Sequence, residues 1–441
     1  MSLDILLKKL LILQKSKVAN NSMILIFSKI IQTVLSFFVS IISAKFLGPS
    51  NYGVVSYAGS IITFVTPIAA LGLNSILTYE CVHNPNDEGK IFGTSLFLQV
   101  VSGFLCVLGL AVVAFFLEKD DAVVRIVIIL YSLELIFKSV AVIESWFQVH
   151  YKAKYVAIST LIAYVSVSAY KIVLLFLQAQ VQFFALSMCV DYIVLGALYL
   201  IFYFKNGGKK LSFSKAWAKK LVLIGKSFII AGIMVAAYTQ IDRIMLRKML
   251  GEETVGYYTV ASSLTSILGF VLASIITASN PIILEHQKVD EQKYKNALIG
   301  RFSLIFYFSI ALTILYTIFA SLIVNILYGV EYQAAIPVVR ALTWCPLFTY
   351  WGVAKGIWFI SQRKQKYIKW LSLVGVLTNI VLNLVLITWF GVVGAAIASV
   401  LSEMAVNFIT GLFIPEIREC SIMMLKSMNP RMLKNVKLLL E

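Results

Sequence analysis

Ala44-Lys45-Phe46-Leu47-Gly48-Pro49-Ser50-Asn51-Tyr52-Gly53 is written a second time 203 residues later, as Arg247-Lys248-Met249-Leu250-Gly251-Glu252-Glu253-Thr254-Val255-Gly256. The match runs on from Ala58 and Ser60 to Ala261 and Ser263, giving the common pattern K-x-L-G-x4-G-x4-A-x-S. An offset close to half of a 441-residue chain marks a tandem duplication. In an apolar chain, such a duplication implies a transporter with its site between the two copies. Leu-Gly is expected to end the first helix of each copy, and the next glycine to start the second around a short outer turn.

The rest of the composition fixes the solvent. Hydrophobic residues make up 60% of the chain, charged residues only 13%, and the mean hydropathy is +0.89. So few charges cannot cover a soluble domain of this size. Twelve apolar runs, from 23–45 to 392–414, are each long enough to cross the hydrocarbon core as a helix. The predicted fold class is therefore an all-α membrane protein, with about twelve transmembrane helices in two parallel six-helix bundles around a central V-shaped cavity. Six spans per half bring both halves in from the same side, and such pairs alternate access by rocking.

Basic residues orient the spans. Of the 38 Lys and Arg, 26 fall in segments on one side, including Lys90, Lys152, Lys205 to Lys220, Lys288 to Arg301, Arg363 to Lys369 and Arg418 to Lys437. Only Lys45, Lys119, Arg247 and Lys248 fall in loops on the other. The positive-inside rule places both termini in the cytoplasm. The net charge of +17 then reads as anchoring to anionic headgroups, not as a nucleic-acid surface.

The expected organisation is an interfacial amphipathic segment at 1–22, an N-terminal bundle at 23–204, a basic cytoplasmic linker at 205–220, a C-terminal bundle at 221–414 and a basic cytoplasmic tail at 415–441. Gly72-Leu73-Asn74-Ser75 is echoed by Ala278-Ser279-Asn280-Pro281 at a slightly larger offset. Five scattered cysteines have no metal-ligand spacing, so no metal and no cofactor is expected.

Ionisable residues within spans are costly and mark function. Lys29, Lys138, Lys171, Arg243 and Lys355 are the candidate cavity cations for an anionic substrate. Glu134, Asp191, Asp242 and Glu403 are the candidates for coupling to H+ or Na+. Glu134 and Lys138 lie four apart on one helix face and also fit simple mutual neutralisation. Arg125, Arg340 and Lys226 lie near span ends and fit snorkelling. Glu80 and His83, near an inner loop, fit solvated positions. Tyr164, Tyr238 and Trp351 have the right chemistry to stack on sugars, though nothing singles them out. No G-x4-G-K-[ST], H-E-x-x-H or G-x-S-x-G motif is present, so no enzyme activity is expected.

Leu47, Gly48, Tyr52, Gly53 and Ala58, then Gly72-Leu73-Asn74, Gln240-Ile241-Asp242-Arg243, Gly256-Tyr257-Tyr258 and Phe390-Gly391-Val392-Val393-Gly394-Ala395-Ala396 form an ordered series. The series resembles the polysaccharide biosynthesis exporters, the O-antigen-type flippases within the multidrug and oligosaccharidyl-lipid exporter superfamily. That resemblance implies twelve or fourteen helices, alternating access and a cationic cavity. The implied substrate is an undecaprenyl-pyrophosphate-linked oligosaccharide, destined for O-antigen or capsule. The implied setting is the bacterial cytoplasmic membrane, beside a polysaccharide polymerase and glycosyltransferases. The alternative is a multidrug or cation antiporter of the same superfamily, which would favour unpaired acids in the cavity. A major-facilitator transporter should carry G-x-x-x-D-R/K-x-G-R between spans two and three, where this chain has His83-Asn84-Pro85-Asn86-Asp87-Glu88-Gly89-Lys90. A membrane glycosyltransferase should carry a large outer loop, whereas the longest loops here are basic and on the inner side.

Overall fold

The computed structural model describes residues 17–439, and among them there is helix and no strand. Of the expected interfacial segment 1–22, residues 1–16 lie outside the described residues. Nine helices among the described residues are long and apolar enough to cross a membrane. Two of the nine are pairs of helices joined at a glycine. Lys17–Ala69 (α1) breaks at Gly48, and the later helix Lys366–Met404 breaks at Gly391. A further apolar stretch is divided between Ala335–Leu342 and Cys345–Ser361, so neither piece is long enough alone. These three breaks reconcile the nine helices with the twelve runs in the sequence.

The chain forms two compact units. The first comprises the described part of Met1–Phe46 together with Ala58–Ile233; the second comprises Leu47–Tyr57 and Met234–Glu441. The first turn of the sequence repeat therefore lies in the second unit, and the start of helix Lys215–Leu250 lies in the first.

Inside the first unit, Glu88–Leu117 (α2), Ala153–Phe176 (α3) and Ser187–Lys205 (α4) surround a buried aromatic core of Phe92, Trp146, Phe147, Tyr199 and Tyr203. The Trp146 ring meets Tyr203 edge-on at 4.9 Å, and Lys152 lies 4.7 Å over its face. The 205–220 segment is strapped onto this unit. Lys209 Nζ donates to the Pro85 carbonyl at 2.7 Å, the Ser214 N–H to Thr94 Oγ1 at 2.9 Å, and Trp217 Nε1 to Asp87 at 3.3 Å. Lys220 closes the strap on Glu80 at 2.6 Å. Glu80 is thus a buried, ion-paired group, and the solvated position expected for it does not hold. Gly89 and Gly93 permit the contact, because a Cβ on either would stand 2.4 Å from linker backbone. Lys215–Leu250 (α5) begins in this unit, with Gly225 against the Leu71 carbonyl and Gly232 against Pro67.

The second unit holds Glu252–Val289 (α6), Glu291–Leu327 (α7), Cys345–Ser361 (α8) and Lys366–Met404 (α9). Its core is built on Trp351, Trp358, Phe302 and Tyr294. Trp351 stacks on Phe306 at 5.2 Å and donates to the Phe302 carbonyl, so it is a core residue with no face left for a sugar. The two copies of the sequence repeat meet here. Gly48 and Gly251 break their helices with φ of 68° and 96°. A Cβ on Gly53 would stand 1.8 Å from the Glu252 carbonyl oxygen, and one on Gly256 would stand 2.1 Å from the Pro49 carbonyl oxygen. Glu252 and Pro49 hold the same place in the two copies, so the contact is reciprocal, as at a two-fold interface. The second glycine of each copy therefore does not start a helix, contrary to the expectation from the sequence. It lies inside one and lets the other turn press against it.

The weaker echo also has a counterpart in structure. In the first unit Asn74 Oδ1 accepts from Gln99 Nε2 at 3.1 Å; in the second, Asn280 Oδ1 accepts from the Arg301 guanidinium at 2.7 Å. Arg301 is fully buried and also donates to the Ala354 carbonyl. It is therefore not one of the exposed inner-face cations among which the charge pattern had counted it. The tail is likewise folded. Arg418–Ser427 (α10) and the turn Pro430–Leu439 dock on α7, where Ser303 donates to the Ser427 carbonyl at 2.8 Å and Gly300 lies against Asn435 backbone.

All five cysteines are free thiols. Burial, reinforced by the Glu88 carboxylate, pushes the Cys81 thiol up to about 12, and burial does the same for Cys420. Thiols so shifted carry almost no thiolate near neutral pH and are chemically quiet.

Candidate functional site: a polar pocket in the second unit

Asp242 sits on α5 in the second unit, surrounded by apolar helices that leave few polar partners. Three converge on it. Asn383 Nδ2 donates to Oδ1 at 2.6 Å, while Tyr258 Oη and Ser399 Oγ donate to Oδ2 at 2.6 and 2.8 Å. Asn383 also donates to Asn379 Oδ1 at 3.0 Å, one helical turn back on α9. Asp242, Asn379, Asn383 and Ser399 are all buried. A carboxylate only accepts, so three donors aimed at it form a consistent shell. Charge-assisted bonds of this kind are the stronger ones.

The group opens into a cavity of about 170 Å³, lined by Asp242, Tyr258, Ser399 and Asn379 together with Tyr238, Ser262 and Glu403. No Lys or Arg lines it. Arg243, beside Asp242 in sequence, is directed to Gln240, Ser262 and Thr259 at 2.7, 3.1 and 3.4 Å.

Glu403 reaches the same cavity from a distorted part of its helix. The backbone turns to a π-helix over Ala405–Ile409, which loosens the regular ladder and frees carbonyl groups. Lys355 answers them, donating to the Asn407 and Val406 carbonyls at 2.9 and 3.3 Å. Asn407 Nδ2 in turn donates to Glu403 Oε2 at 2.6 Å. Gly352 makes room, since a Cβ there would lie 2.1 Å from the Asn407 amide oxygen. Lys355, proposed from sequence as a cavity cation, is thus buried and engaged with backbone.

The first unit brings the remaining candidates near groups of opposite charge, and Lys138 and Glu134 form an ion pair. Lys138 lies 3.6 Å from Glu134 and 5.2 Å from the Tyr192 ring. Asp191 lies within electrostatic reach of Lys171 and Lys138, and Glu144 within reach of Lys29. Lys29 and Lys171 had no charged neighbour along their own helices; their partners come from other helices. Lys29 is exposed, Lys171 and Asp191 are half-buried, and Glu134 is buried. Sequence reasoning missed Asn379, Asn383, Ser399 and Tyr258. The one available signal was the i, i+4 pair of asparagines in an otherwise apolar run.

Helices long enough to span, broken at glycines and carrying buried polar clusters, define an all-α, multi-pass membrane protein. The chain belongs to the polysaccharide biosynthesis protein family, whose pattern matches residues 18–287. One relative is the uncharacterized membrane protein MJ1068 of Methanocaldococcus jannaschii, 26% identical over 306 residues. That match covers 65% of this chain and 58% of the relative, so the chain spans less than two thirds of that protein's length. Among solved structures, the fold is similar to the lipid II flippase MurJ in an inward closed conformation, with TM-score 0.70 and 13% identity over 95% of this chain and 96% of that one. It is also similar to an inward-facing multidrug resistance MATE family transporter of the MOP superfamily, with TM-score 0.67 and 16% identity over 89% and 95%. A MOP superfamily transporter from Pyrococcus furiosus matches with TM-score 0.61 and 13% identity over 94% and 96%. These likenesses show a shared fold over nearly the whole of each chain.

Proposed function

We propose that this protein flips a polyprenyl-pyrophosphate-linked oligosaccharide, with undecaprenyl as the lipid, across the bacterial cytoplasmic membrane for O-antigen or capsule assembly. The observation that carries the reading is membership of the polysaccharide biosynthesis family over residues 18–287. In this reading both termini are cytoplasmic and the two six-helix bundles rock about a V-shaped cavity. The cations Lys29, Lys138 and Lys171 of the first unit serve the pyrophosphate. Lys138 is paired with Glu134, and an incoming phosphate takes the place of that carboxylate. Arg243 and Lys355 hold the polar architecture of the second unit. Asp242 and Glu403 take a coupling cation, H+ or Na+, in a pocket with no competing Lys or Arg. Glu134 and Asp191 tune the lysines of the first unit. No bond is made or broken in the substrate, and a polymerase and glycosyltransferases act before and after it. Removing the gene should abolish the surface glycan and accumulate lipid-linked repeat units in the inner leaflet, read by glycan staining and lipid extraction. A normal glycan would sink the proposal.

A second reading, export of organic cations, is favoured by one observation: the Asp242 cavity is lined by two carboxylates and no cation. In the same strain, raised sensitivity to cationic drugs with an intact surface glycan would select it.

A further inference from the structure

A second cavity in the second unit, of about 480 Å³, shares no residue with the Asp242 pocket. It lies between the first turns of α7, through Gln292, Lys295 and Ile299, and α10, through Arg418, Glu419, Ile422, Met423 and Lys426, with Pro415 beside them. Both elements mark a membrane boundary. The candidate span Glu291–Leu327 begins at one wall, and the span that ends at Phe413 stops two residues before Pro415.

The walls are amphipathic. Arg418, Ile422 and Lys426 lie four apart in series, on one face of α10. Lys295 faces them from α7, where it pairs with Glu419 at 2.7 Å and Glu291 at 3.0 Å. Glu419 is the only carboxylate among the lining residues, and it shares Lys295 with Glu291. Arg418 and Lys426 are exposed and form no ion pair among the described residues, so with Lys295 they outnumber Glu419 and Glu291 and the pocket keeps a net positive charge. Its lining also carries apolar groups, among them Ile422, which is 37% exposed. The walls are held in place by the Ser303 bond to the Ser427 carbonyl and by Tyr307 donating to the Met428 carbonyl.

We infer that this pocket binds the phosphate headgroup of an anionic phospholipid, with Arg418 and Lys426 taking the phosphate and Ile422 lying along an acyl chain. A cationic pocket beside the end of a spanning helix has the charge and the position for that ligand. The leaflet would be the cytoplasmic one if the orientation given by the basic residues holds; the chemistry of the site does not depend on it.

The test uses purified full-length protein with phosphatidylglycerol titrated against a phosphatidylcholine background, bound lipid being counted by native mass spectrometry. Wild type should retain phosphatidylglycerol. Arg418→Gln with Lys426→Gln should weaken retention at least about fivefold, since each cation at a membrane surface carries roughly that factor. Lys434→Gln with Lys437→Gln removes the same charge from exposed positions outside the pocket and should leave retention unchanged. Glu419→Gln removes the lining acid and should strengthen retention. Equal loss in both double variants, no loss in either, or weaker retention in Glu419→Gln would overturn the inference. So would displacement of phosphatidylglycerol by inorganic phosphate at equal concentration, which would make the site one for free phosphate.

Discussion

Alanine at Gly53 or at Gly256 is expected to leave little folded protein. Each added Cβ would stand about two ångströms from a backbone carbonyl oxygen of the opposite turn, 1.8 Å from Glu252 in one case and 2.1 Å from Pro49 in the other. A flexible side chain could swing aside, but a carbonyl fixed between a broken helix and its neighbour cannot do so without moving the whole turn. Overpacking of a tight core costs about 1–3 kcal/mol, and contact with backbone on this scale belongs at the upper end. That is a large part of the stability of an ordinary domain. The measurement is the yield of monodisperse protein and its melting temperature in detergent. Gly109→Ala is the control: no atom lies within 4 Å of its Cβ and it sits within α2, so alanine there should be neutral or slightly stabilising. Wild-type yield and melting for both Gly53→Ala and Gly256→Ala would show that the two turns do not form the tight reciprocal contact.

Asp242→Asn is expected to reduce transport by at least about tenfold while the protein still folds. The substitution preserves shape but turns one acceptor into a donor, facing either Asn383 or the Tyr258 and Ser399 hydroxyls. Losing charge-assisted bonds of this kind costs about 1.5–3 kcal/mol each, which corresponds to tenfold or more. The effect should fall on ion dependence as well as rate, because the variant has no charge with which to hold a cation. Ser399→Ala removes one donor and keeps the charge, so it should slow transport less and leave ion dependence in place. A variant Asp242→Asn that transported at the wild-type rate with unaltered ion dependence would remove the pocket from the mechanism.

The parts of this architecture legible in the sequence are those that depend on one residue type at one place. Gly48 and Gly251 adopt backbone angles that other residues avoid, and Gly53 and Gly256 face carbonyls too close for any side chain. Both requirements leave glycine as the visible trace, so the repeat can be read directly. Apolar length marked the spans for a similar reason, since each must cross the same thickness of hydrocarbon. Asp242 stood out as an acid in an apolar run. Its partners did not, because Asn383 and Ser399 lie 141 and 157 residues away and a single Asn or Ser in a helix is unremarked.

Arg301 was misplaced for a different reason. It sits ten residues into α7, where counting from a charged span end makes it an interfacial cation, and only the packing of Asn280 and Ala354 shows it buried. Lys355 looked like a ligand for an anion because nothing in the sequence announces a π-helix, and its carbonyl partners exist only because of that distortion. Glu80 looked solvated because its partner Lys220 is 140 residues distant.

The most direct measurement is movement of a fluorescent polyprenyl-pyrophosphate-linked oligosaccharide across proteoliposomes, followed by its access to a membrane-impermeant quencher. With the wild-type protein and an imposed Na+ or H+ gradient, the labelled lipid should cross well above the rate of protein-free vesicles, and Asp242→Asn should lose that gain. Labelled lipid that never crosses faster than in protein-free vesicles, under a gradient of either ion in either direction, would contradict the account.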